Sequence, residues 1–312
     1  MKKLISVVIP AYNESPVLDE LARQLKAAFD ENKNYEFEVI IVENGSQDDS
    51  FQKLLKIQQH DNRFKILQLS RTFGADGGIT AGLRYAKGEA AIIMCADLQE
   101  PPSLISQFIK KWEEGYENVY GIVKSRPDSG FLRRLNSKLF YFIINSLTGK
   151  LIPKNASDFR LIDKKVYQAF NEMGERNRLI RGMFAWMGFK SIGIEFERSK
   201  RFAGESHAHS SWVLSLGIKG IFAFSYLPIA FISIFGFILS GISLISLLYT
   251  VIKVLVKGVP FPGYGTLVSL ILLMFGFLFL ILGVLGQYMA QIYEEVKLRP
   301  NFIVKAQAGF DK

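Results

Sequence analysis

Four short segments rich in acidic, amide and glycine residues follow four apolar runs in the N-terminal part of this 312-residue chain. The four segments cover residues 11–14, 43–46, 71–74 and 96–100, and all except 71–74 contain an acid. If each apolar run is a strand of one parallel sheet, the segments meet at the edge formed by the carboxyl ends, where such sheets bind ligands. Because loops of this kind are commonly polar, one segment alone would mean little, but four together favour a binding site.

Asp97 and Gln99 stand two residues apart directly after the fourth run. In an extended segment, side chains at positions i and i+2 point the same way, so a carboxylate and an amide oxygen could share a hard cation such as Mg²⁺ or Mn²⁺. Such a cation would neutralise a bound diphosphate. Spacing alone leaves open whether Asp97 binds metal or caps a helix, and Glu100 could assist it or cap the helix that begins near Pro101.

Several other chemistries lack the residues they need. Cys95 is the single cysteine of the chain, which excludes an intramolecular disulfide and a zinc site built on cysteines. The sequence has no Walker P-loop and no G-x-G-x-x-G after the first apolar run, and His207 and His209 are more typical of a solvated loop than of a metal site. The net charge of +9 includes no dense basic run, so we expect phosphate-bearing substrates and an anionic membrane surface rather than nucleic acid.

The elements that must position these residues alternate between two kinds. Continuous β-branched runs predict buried strands, at residues 4–10, 37–42, 64–69 and 90–95. Helical periodicity of the apolar residues predicts helices, at residues 15–32, 50–59, 77–86 and 102–114. This order predicts an α/β fold with a parallel sheet covered by helices on both faces.

Two long stretches without charged residues, 220–252 and 258–293, follow this region. About 20 helical residues cross the roughly 30 Å hydrocarbon layer, so we place membrane spans at 229–252 and 267–289. The short connection contains prolines and glycines, which predicts a two-helix hairpin with both flanks on one side. More lysines and arginines lie on the flanks than in the connection. The positive-inside rule therefore predicts an integral inner or plasma membrane protein with cytoplasmic N- and C-termini.

These patterns divide the chain into a cytoplasmic domain at 1–220, a transmembrane hairpin at 228–292 and a cytoplasmic tail at 293–312. Two segments that mix basic and aromatic residues, about 131–147 and 210–224, are typical of juxtamembrane helices at the membrane interface. The first of them could equally be an ordinary helix that covers the sheet. Glycines in both predicted spans would permit close packing in a homo-oligomer.

Seven motifs taken together resemble those of family 2 glycosyltransferases of the polyisoprenyl-phosphate type. That group includes dolichyl-phosphate mannose synthase and the bacterial undecaprenyl-phosphate glucosyl and aminoarabinosyl transferases. The motifs are Ser-Val-Val-Ile-Pro-Ala-Tyr-Asn-Glu at 6–14, Glu-Asn-Gly-Ser-Gln-Asp at 43–48, Arg-Thr-Phe-Gly at 71–74, Ala-Asp-Leu-Gln-Glu-Pro-Pro at 96–102, Ser-Asp-Phe-Arg-Leu at 157–161, Asn-Arg-Leu-Ile-Arg-Gly at 177–182 and Arg-Phe-Ala-Gly-Glu-Ser at 201–206. The likeness covers nearly the whole chain.

The resemblance implies a GT-A (Rossmann-like) fold and inverting transfer of a hexose or related sugar from a nucleotide sugar, with a UDP-sugar favoured. The implied acceptor is a polyprenyl phosphate, such as undecaprenyl phosphate, at the cytoplasmic membrane face. Asp97 and Gln99 would hold Mg²⁺ or Mn²⁺, and Asp158 and Asp97 are the implied catalytic residues. The implied nucleotide-binding residues are Pro10, Tyr12, Glu14, Glu43, Asn44, Gly74, Ala96 and Asp97. The implied acceptor-phosphate residues are Arg126, Arg133 and Ser137 in an acceptor loop at about 125–137, with Arg160 and Arg201.

Three positions depart from the pattern of that family. Cys95 stands where an Asp-x-Asp motif has its first acid, Asn44 replaces an aspartate and Ser157 replaces a glycine. The metal's ligand set and the recognition of the base could shift accordingly. Because a phosphate monoester has a second pKa of about 6, the acceptor needs little help from a base. Asp158 could therefore remove a proton, or orient an arginine or a sugar hydroxyl.

Two alternatives remain open at this point. A processive membrane polysaccharide synthase has a similar domain, but it usually carries more spans and a Gln-x-x-Arg-Trp motif that the sequence lacks. A non-catalytic sugar-nucleotide-binding membrane protein is conceivable because of Cys95. Product analysis separates the three readings, since they give a single lipid-linked sugar, a polymer or no product.

Overall fold

The computed structural model describes residues 2–124, 155–176, 178–199, 227–257 and 263–310. It divides into two compact units, of which the first comprises Met1–Ser215 with Leu298–Lys312 and the second Leu216–Lys297. The expected acceptor loop and both expected juxtamembrane helices lie outside the described residues. So do four expected site residues, namely Arg126, Arg133, Ser137 and Arg201.

The first unit is built from alternating strands and helices. Its strands are β1 (Lys3–Ala11), β2 (Tyr35–Glu43), β3 (Phe64–Leu69), β4 (Ala90–Ile93), β5 (Asn118–Val123), β6 (Ala156–Asp163), β7 (Ser191–Phe196) and β8 (Val304–Ala308). Its helices are α1 (Leu18–Glu31), α2 (Ser50–His60), α3 (Gly74–Tyr85), α4 (Ile105–Glu113), α5 (Lys164–Glu172) and α6 (Ile180–Trp186), with a 3₁₀ turn at Pro102–Leu104. The strand and helix order predicted from the sequence through α4 is confirmed.

All eight strands form one sheet in the order β7-β5-β6-β4-β1-β2-β3-β8. The run β4-β1-β2-β3 is parallel, and Val7 of β1 pairs with Val39 of β2 while both are fully buried. Apolar side chains on both faces explain why these strands are continuous β-branched runs. Their carboxyl ends therefore meet at one edge, as the sequence predicts.

Strand β6 adds a second source of residues to that edge. It runs antiparallel to β4, with Ile93 opposite Arg160. Its first residues therefore lie beside the carboxyl end of β4. This pairing brings Asp158, at the start of β6, next to the loop that carries Asp97.

Strand β8 belongs to the stretch that the sequence indicated as a tail. It pairs antiparallel with β3, with Leu69 opposite Val304, and the Ser70 N–H donates to the Ile303 carbonyl at 2.9 Å. Phe302 and Phe310 pack on the core cluster formed on this side of the sheet. The C-terminal segment is thus a structural part of the first unit and covers the edge of β3.

The second unit consists of α7 (Leu227–Lys257) and α8 (Tyr264–Val296). Large apolar side chains are exposed on both helices, and Leu255 and Phe279 are examples at 79% and 67%. Within the described part of the chain, the segment Leu273–Val296 is long and apolar enough to cross a membrane. This finding supports one span near the second predicted one, and the two-span hairpin stays a prediction.

Candidate functional site

The loops after β1 and β2 are fastened to each other at the site edge. Asn13 has a left-handed backbone with φ of 54°, a conformation that asparagine tolerates better than most residues. Its N–H donates to the Ser46 hydroxyl at 3.0 Å and its Oδ1 accepts from the Gln47 N–H at 2.8 Å. These bonds fix the half-buried Tyr12 and Glu14, two of the expected nucleotide-binding residues, between the two loops.

Asp48 provides a second link between the same loops. Its carboxylate accepts from the Ser15 N–H at 3.2 Å and from the Ser50 N–H at 3.0 Å. Burial alone would raise the pKa of Asp48, but the hydrogen bonds from Ser50 and Ser15 outweigh it and lower that pKa. The carboxylate therefore stays ionised and the start of α2 stays tied to the start of α1.

Glu43 and Asn44 end β2 and use their side chains differently. Glu43 is 1% exposed, its Oε1 accepts from the Ser46 N–H, and its Oε2 has no hydrogen-bond partner among the described residues. The Asn44 side chain accepts from the Phe73 N–H at 2.9 Å and donates to the Gly74 carbonyl at 2.8 Å. Asn44 thus holds the β3–α3 loop, whereas one oxygen of Glu43 is buried without a hydrogen-bond partner among the described residues.

Glycines let the backbones of these loops approach each other. Gly45 has φ of 73°, and a Cβ there would lie 2.5 Å from the carbonyl carbon of Arg71. A Cβ on Gly78 would lie 2.8 Å from the Pro10 Cβ. Side chains at either position would push the loops apart. The structure therefore brings Pro10, Asn44 and Gly74 together, and their role in nucleotide binding stays a prediction.

The loop after β4 carries the expected metal ligands in a turn. Leu98 has φ of 56°, and the Gln99 N–H donates to Asp97 Oδ1 at 3.2 Å. The expectation of an extended segment here was wrong, because Leu98 between the two residues has a left-handed backbone and the loop is a turn. The metal roles of Asp97 and Gln99 stay predictions. Asp97 is 8% exposed and Ala96 is 2% exposed, so this turn is packed against the carboxyl ends of the strands and is not a solvated loop.

The described residues contain no cluster of three or more His, Cys, Asp or Glu side chains that could hold a metal on their own. Magnesium in phosphate-transfer sites is commonly held by one or two carboxylates together with substrate phosphates and water. Asp97, at the sheet edge, fits that arrangement as a single carboxylate. A cation here would need the diphosphate of a substrate to complete its ligands.

Glu100 does not cap the 3₁₀ turn at Pro102–Leu104, and its two oxygens bind to other groups of the protein. Its Oε2 accepts from the Cys95 N–H at 2.9 Å, and its Oε1 accepts from the Ser157 hydroxyl. Burial raises the pKa of Glu100, and the bonds from Ser157 and Cys95 oppose that shift only in part. Burial also raises the pKa of the Cys95 thiol well above its ordinary value.

Asp158 is paired with an arginine that the sequence analysis did not single out as a site residue. Arg181, on the first turn of α6, donates from Nε to Oδ1 at 2.7 Å and from Nη2 to Oδ2 at 2.6 Å. Burial opposes ionisation of Asp158, but the charge and hydrogen bonds of Arg181 outweigh it and lower the pKa. Both carboxylate oxygens are therefore engaged, which makes Asp158 a poor proton acceptor.

Arg160 was expected to contact the acceptor phosphate, and the structure places its guanidinium against the backbone. It donates from Nη2 to the Ser157 carbonyl at 3.0 Å and from Nε to the Asp158 carbonyl at 3.3 Å. It also lies over the Phe184 ring at 4.8 Å. Burial lowers its pKa to about 10. Arg160 thus fixes the start of β6, and its contact with phosphate stays a prediction.

Arg198 is a further cation at this edge that the sequence analysis did not place there. It follows β7, is exposed, and its Nη2 lies 3.9 Å from Glu100 Oε1. With Arg181 it gives the edge two partly exposed guanidinium groups beside three acids, Asp97, Glu100 and Asp158. Arg181 lies in the motif at 177–182, whereas Arg198 lies in none of the seven motifs, and the acidic partners of both are far away in sequence.

The chain is similar to several known proteins. The profile described as "Glycosyl transferase family 2" matches residues 6–170. The chain is 38% identical over 307 residues to "Uncharacterized glycosyltransferase sll0501" of Synechocystis, covering 98% of this chain and 96% of that one. It is 32% identical over 301 residues to "Bactoprenol glucosyl transferase" of Shigella phage SfII, covering 96% and 97%. A solved glucosyl-3-phosphoglycerate synthase of Mycobacterium tuberculosis, in complex with Mn²⁺, UDP-glucose and phosphoglyceric acid, is 14% identical, with a TM-score of 0.48 and coverage of 70% and 78%.

Proposed function

Since the chain belongs to glycosyltransferase family 2 and is a glycosyltransferase, we propose that it transfers a sugar from UDP to a polyprenyl phosphate at a membrane surface. The observation that carries this proposal is the likeness, over 96% of the chain, to a protein named bactoprenol glucosyl transferase. The apolar helix at Leu273–Val296 supports it, because a lipid acceptor requires the enzyme at a bilayer. The transferred group is a hexose or a related sugar.

Glu43 supports uridine as the nucleoside. One of its carboxylate oxygens is occupied by the Ser46 N–H, and the other is buried without a partner among the described residues. A buried acceptor left unpaired costs about 1–3 kcal/mol, so a ligand donor is favoured there. Uracil offers one ring N–H, which matches one free oxygen. Guanine would bring a ring N–H and an adjacent amino group to this carboxylate, whose other oxygen already accepts from the Ser46 N–H.

The acceptor reaction needs little proton removal. An oxygen of the polyprenyl phosphate attacks the anomeric carbon from the face opposite the nucleotide, the bond from that carbon to the diphosphate oxygen breaks, and the electron pair leaves with UDP. The phosphate is largely anionic near neutral pH. The protein must therefore hold two anionic groups together and stabilise the leaving diphosphate.

The residues of the edge suit that task. In the proposed mechanism Asp158 orients Arg181 toward the phosphates instead of removing a proton, since both of its oxygens are held by that guanidinium. Asp97, with Gln99, would hold Mg²⁺ or Mn²⁺, which neutralises charge on the diphosphate when bound. Acceptor-phosphate roles for Arg126, Arg133, Ser137 and Arg201 remain part of the proposal on the strength of the resemblance.

The sheet topology supports an even number of membrane crossings. The first unit includes residues on both sides of the second unit in sequence, and β8 is hydrogen-bonded to β3. A chain that leaves the sheet, enters the bilayer and returns to the same sheet must cross twice or not at all. We therefore propose two spans, formed by α7 and α8, with both termini on the cytoplasmic side. Glycines in these helices would permit a homo-oligomer.

A donor screen tests this function. The full-length protein in detergent, with undecaprenyl phosphate and added Mg²⁺ or Mn²⁺, is incubated with radiolabelled UDP-sugars and GDP-sugars. We expect label in a lipid extract with a UDP-sugar, and much less after Asp97→Ala. Asp19→Ala is the matched control, because Asp19 is an exposed acid on α1 whose side chain is 78% accessible. Transfer that is equal with GDP-sugars, or unaffected by Asp97→Ala, would contradict the proposal.

A further inference from the structure

Three segments of the candidate site converge on the carboxylate of Glu100. This side chain is 1% exposed. Through Cys95 it holds the loop that carries Asp97, and through the Ser157 hydroxyl it holds the start of β6, which carries Asp158. The Ser157 oxygen also accepts from the Phe159 N–H at 3.3 Å. Glu100 is thus a direct bridge between the two acids expected to act in catalysis.

The loop after β7 also contacts this part of the site, at Gln99 and Glu100. The Ser199 N–H donates to the Gln99 carbonyl at 3.1 Å, and Arg198 lies 3.9 Å from Glu100 Oε1. The hydrogen bond between Ser199 and Gln99 sets the position of this loop, and the Glu100 carboxylate is the charge partner of Arg198. Asp97, Asp158 and Arg198 therefore take their relative positions from one buried side chain and its neighbours.

Glu100 itself has no free oxygen to offer a substrate. Both of its oxygens accept hydrogen bonds from the protein. The bridge also depends on this chain's own Ser157, since a glycine at that position would have no hydroxyl to donate. A side chain in this setting acts on the reaction through the residues it holds.

We propose that Glu100, with Ser157, is a positioning pair that sets the separation of Asp97 from Asp158 and Arg198, a role that rests on the proposed function. Misplacing reacting groups by a fraction of an ångström to one ångström lowers turnover strongly. Loss of the bridge therefore reduces kcat more than it weakens binding of the donor nucleotide, because the pocket formed by Glu43 and Asn44 is built by other bonds.

The sheet contains a matched pair away from the site. The Ser6 hydroxyl donates to Glu38 Oε1 at 2.5 Å and accepts from the Gly88 N–H at 2.9 Å. Like Ser157, Ser6 is a buried serine that binds a buried glutamate and a backbone N–H. It precedes the end of β1 by five residues, which is about 16 Å along a strand. Ser6→Ala thus removes the same type of bond without touching the site.

The test compares Ser157→Ala with Ser6→Ala in the full-length protein. Thermal unfolding, kcat and KM for the UDP-sugar, and release of UDP are measured for both. We expect similar losses of thermal stability, a fall in kcat of about tenfold for Ser157→Ala alone, and a donor KM within about twofold of wild type. Equal kcat for the two variants, or a Ser157→Ala effect confined to KM, would overturn the proposal.

A second pair of variants guards against simple misfolding. Glu100→Leu removes both acceptors, whereas Glu100→Gln can accept from the Cys95 N–H and donate to the Ser157 oxygen. We expect Glu100→Gln to recover most of the kcat lost in Glu100→Leu, and no such recovery would count against the bridge. Release of UDP measures donor turnover whatever the acceptor is. If the wild-type protein releases UDP but forms no polyprenyl product, the proposed acceptor is wrong. The kcat values of the variants for UDP release then still decide the role of Glu100.

Discussion

Replacing Asp158 with asparagine tests whether this residue orients Arg181 or removes a proton. The substitution keeps the size of the side chain and removes its charge. Asp158 now receives two charge-assisted hydrogen bonds, at 2.7 and 2.6 Å. Asparagine can accept one of them through its carbonyl oxygen, while its amide group faces the other Arg181 donor.

The expected loss follows from those bonds. A hydrogen bond to a charged group contributes about 1.5–3 kcal/mol when buried, and the 26% and 39% exposure of the two side chains places this pair toward the lower part of that range. A loss of about 2 kcal/mol corresponds to roughly 30-fold in rate at about 1.4 kcal/mol per tenfold. We therefore expect kcat of Asp158→Asn to fall by roughly 30-fold with the donor still bound.

The dependence on pH follows from the lowered pKa of Asp158. A carboxylate of this kind is fully ionised above the ordinary aspartate pKa of about 3.9, and its pairing is lost only as the pH falls through its lower folded value. The ratio of wild-type to Asp158→Asn turnover should thus be constant from about pH 5 to 8. A general base whose pKa is raised toward neutrality would instead give a wild-type profile with an acid limb inside that pH range, which the variant would lack.

The assay is turnover with polyprenyl phosphate at saturating donor, with donor affinity measured by calorimetry. Arg181→Ala and the double variant complete a cycle, and the double variant should lose no more than the worse single one because the pair acts as a unit. Asp61→Asn is the matched control, since Asp61 binds Arg63 through the same groups at 3.0 and 2.7 Å. Unchanged turnover in Asp158→Asn, or an equal loss in Asp61→Asn, would refute the reasoning.

Three further outcomes follow from the structure. Glu43→Gln should weaken UDP binding by about tenfold in calorimetry, because the amide NH₂ of glutamine is a donor and can replace the buried acceptor that faces the base. Unchanged affinity would argue against contact between residue 43 and the base. Removal of residues 298–312 should lower the melting temperature by several degrees in differential scanning fluorimetry, because β3 loses its partner strand and Phe302 and Phe310 leave the core; an unaltered melting temperature would contradict that packing. Arg160→Lys should also destabilise the protein, because a lysine cannot donate to both backbone carbonyls from a planar fork, and a circular-dichroism melt equal to wild type would oppose this.

Local sequence signals predicted the parallel half of the sheet and the loops at its edge. Strands β1 to β4 are rich in buried apolar residues, so their existence and their order along the chain could be predicted from the sequence pattern. Pro10, Asn44 and Gly74 lie together because each stands at or after the carboxyl end of one of those strands. The closeness of Asp97 and Asp158 depends instead on the antiparallel pairing of β6 with β4, which joins residues far apart in sequence and leaves no periodic signal.

The turn at Leu98 and the strand β8 are two further features that could not be predicted from the sequence. A leucine with φ of 56° gives no sign of its conformation in the sequence, since glycine and asparagine are the usual markers of a left-handed residue. Strand β8 alternates short apolar and polar residues, a weak pattern that fitted a tail equally well. Arg181 could have been assigned from its motif, but its carboxylate partner lies 23 residues away.

The most direct test of the central claim is the product itself. Purified full-length protein is incubated with a UDP-sugar and undecaprenyl phosphate, and the lipid product is analysed by mass spectrometry while released UDP is counted. We expect a single sugar linked through phosphate to the lipid, with inverted anomeric configuration and one UDP released per product. A polymer, a retained configuration, or UDP release without any lipid-linked sugar would contradict the account.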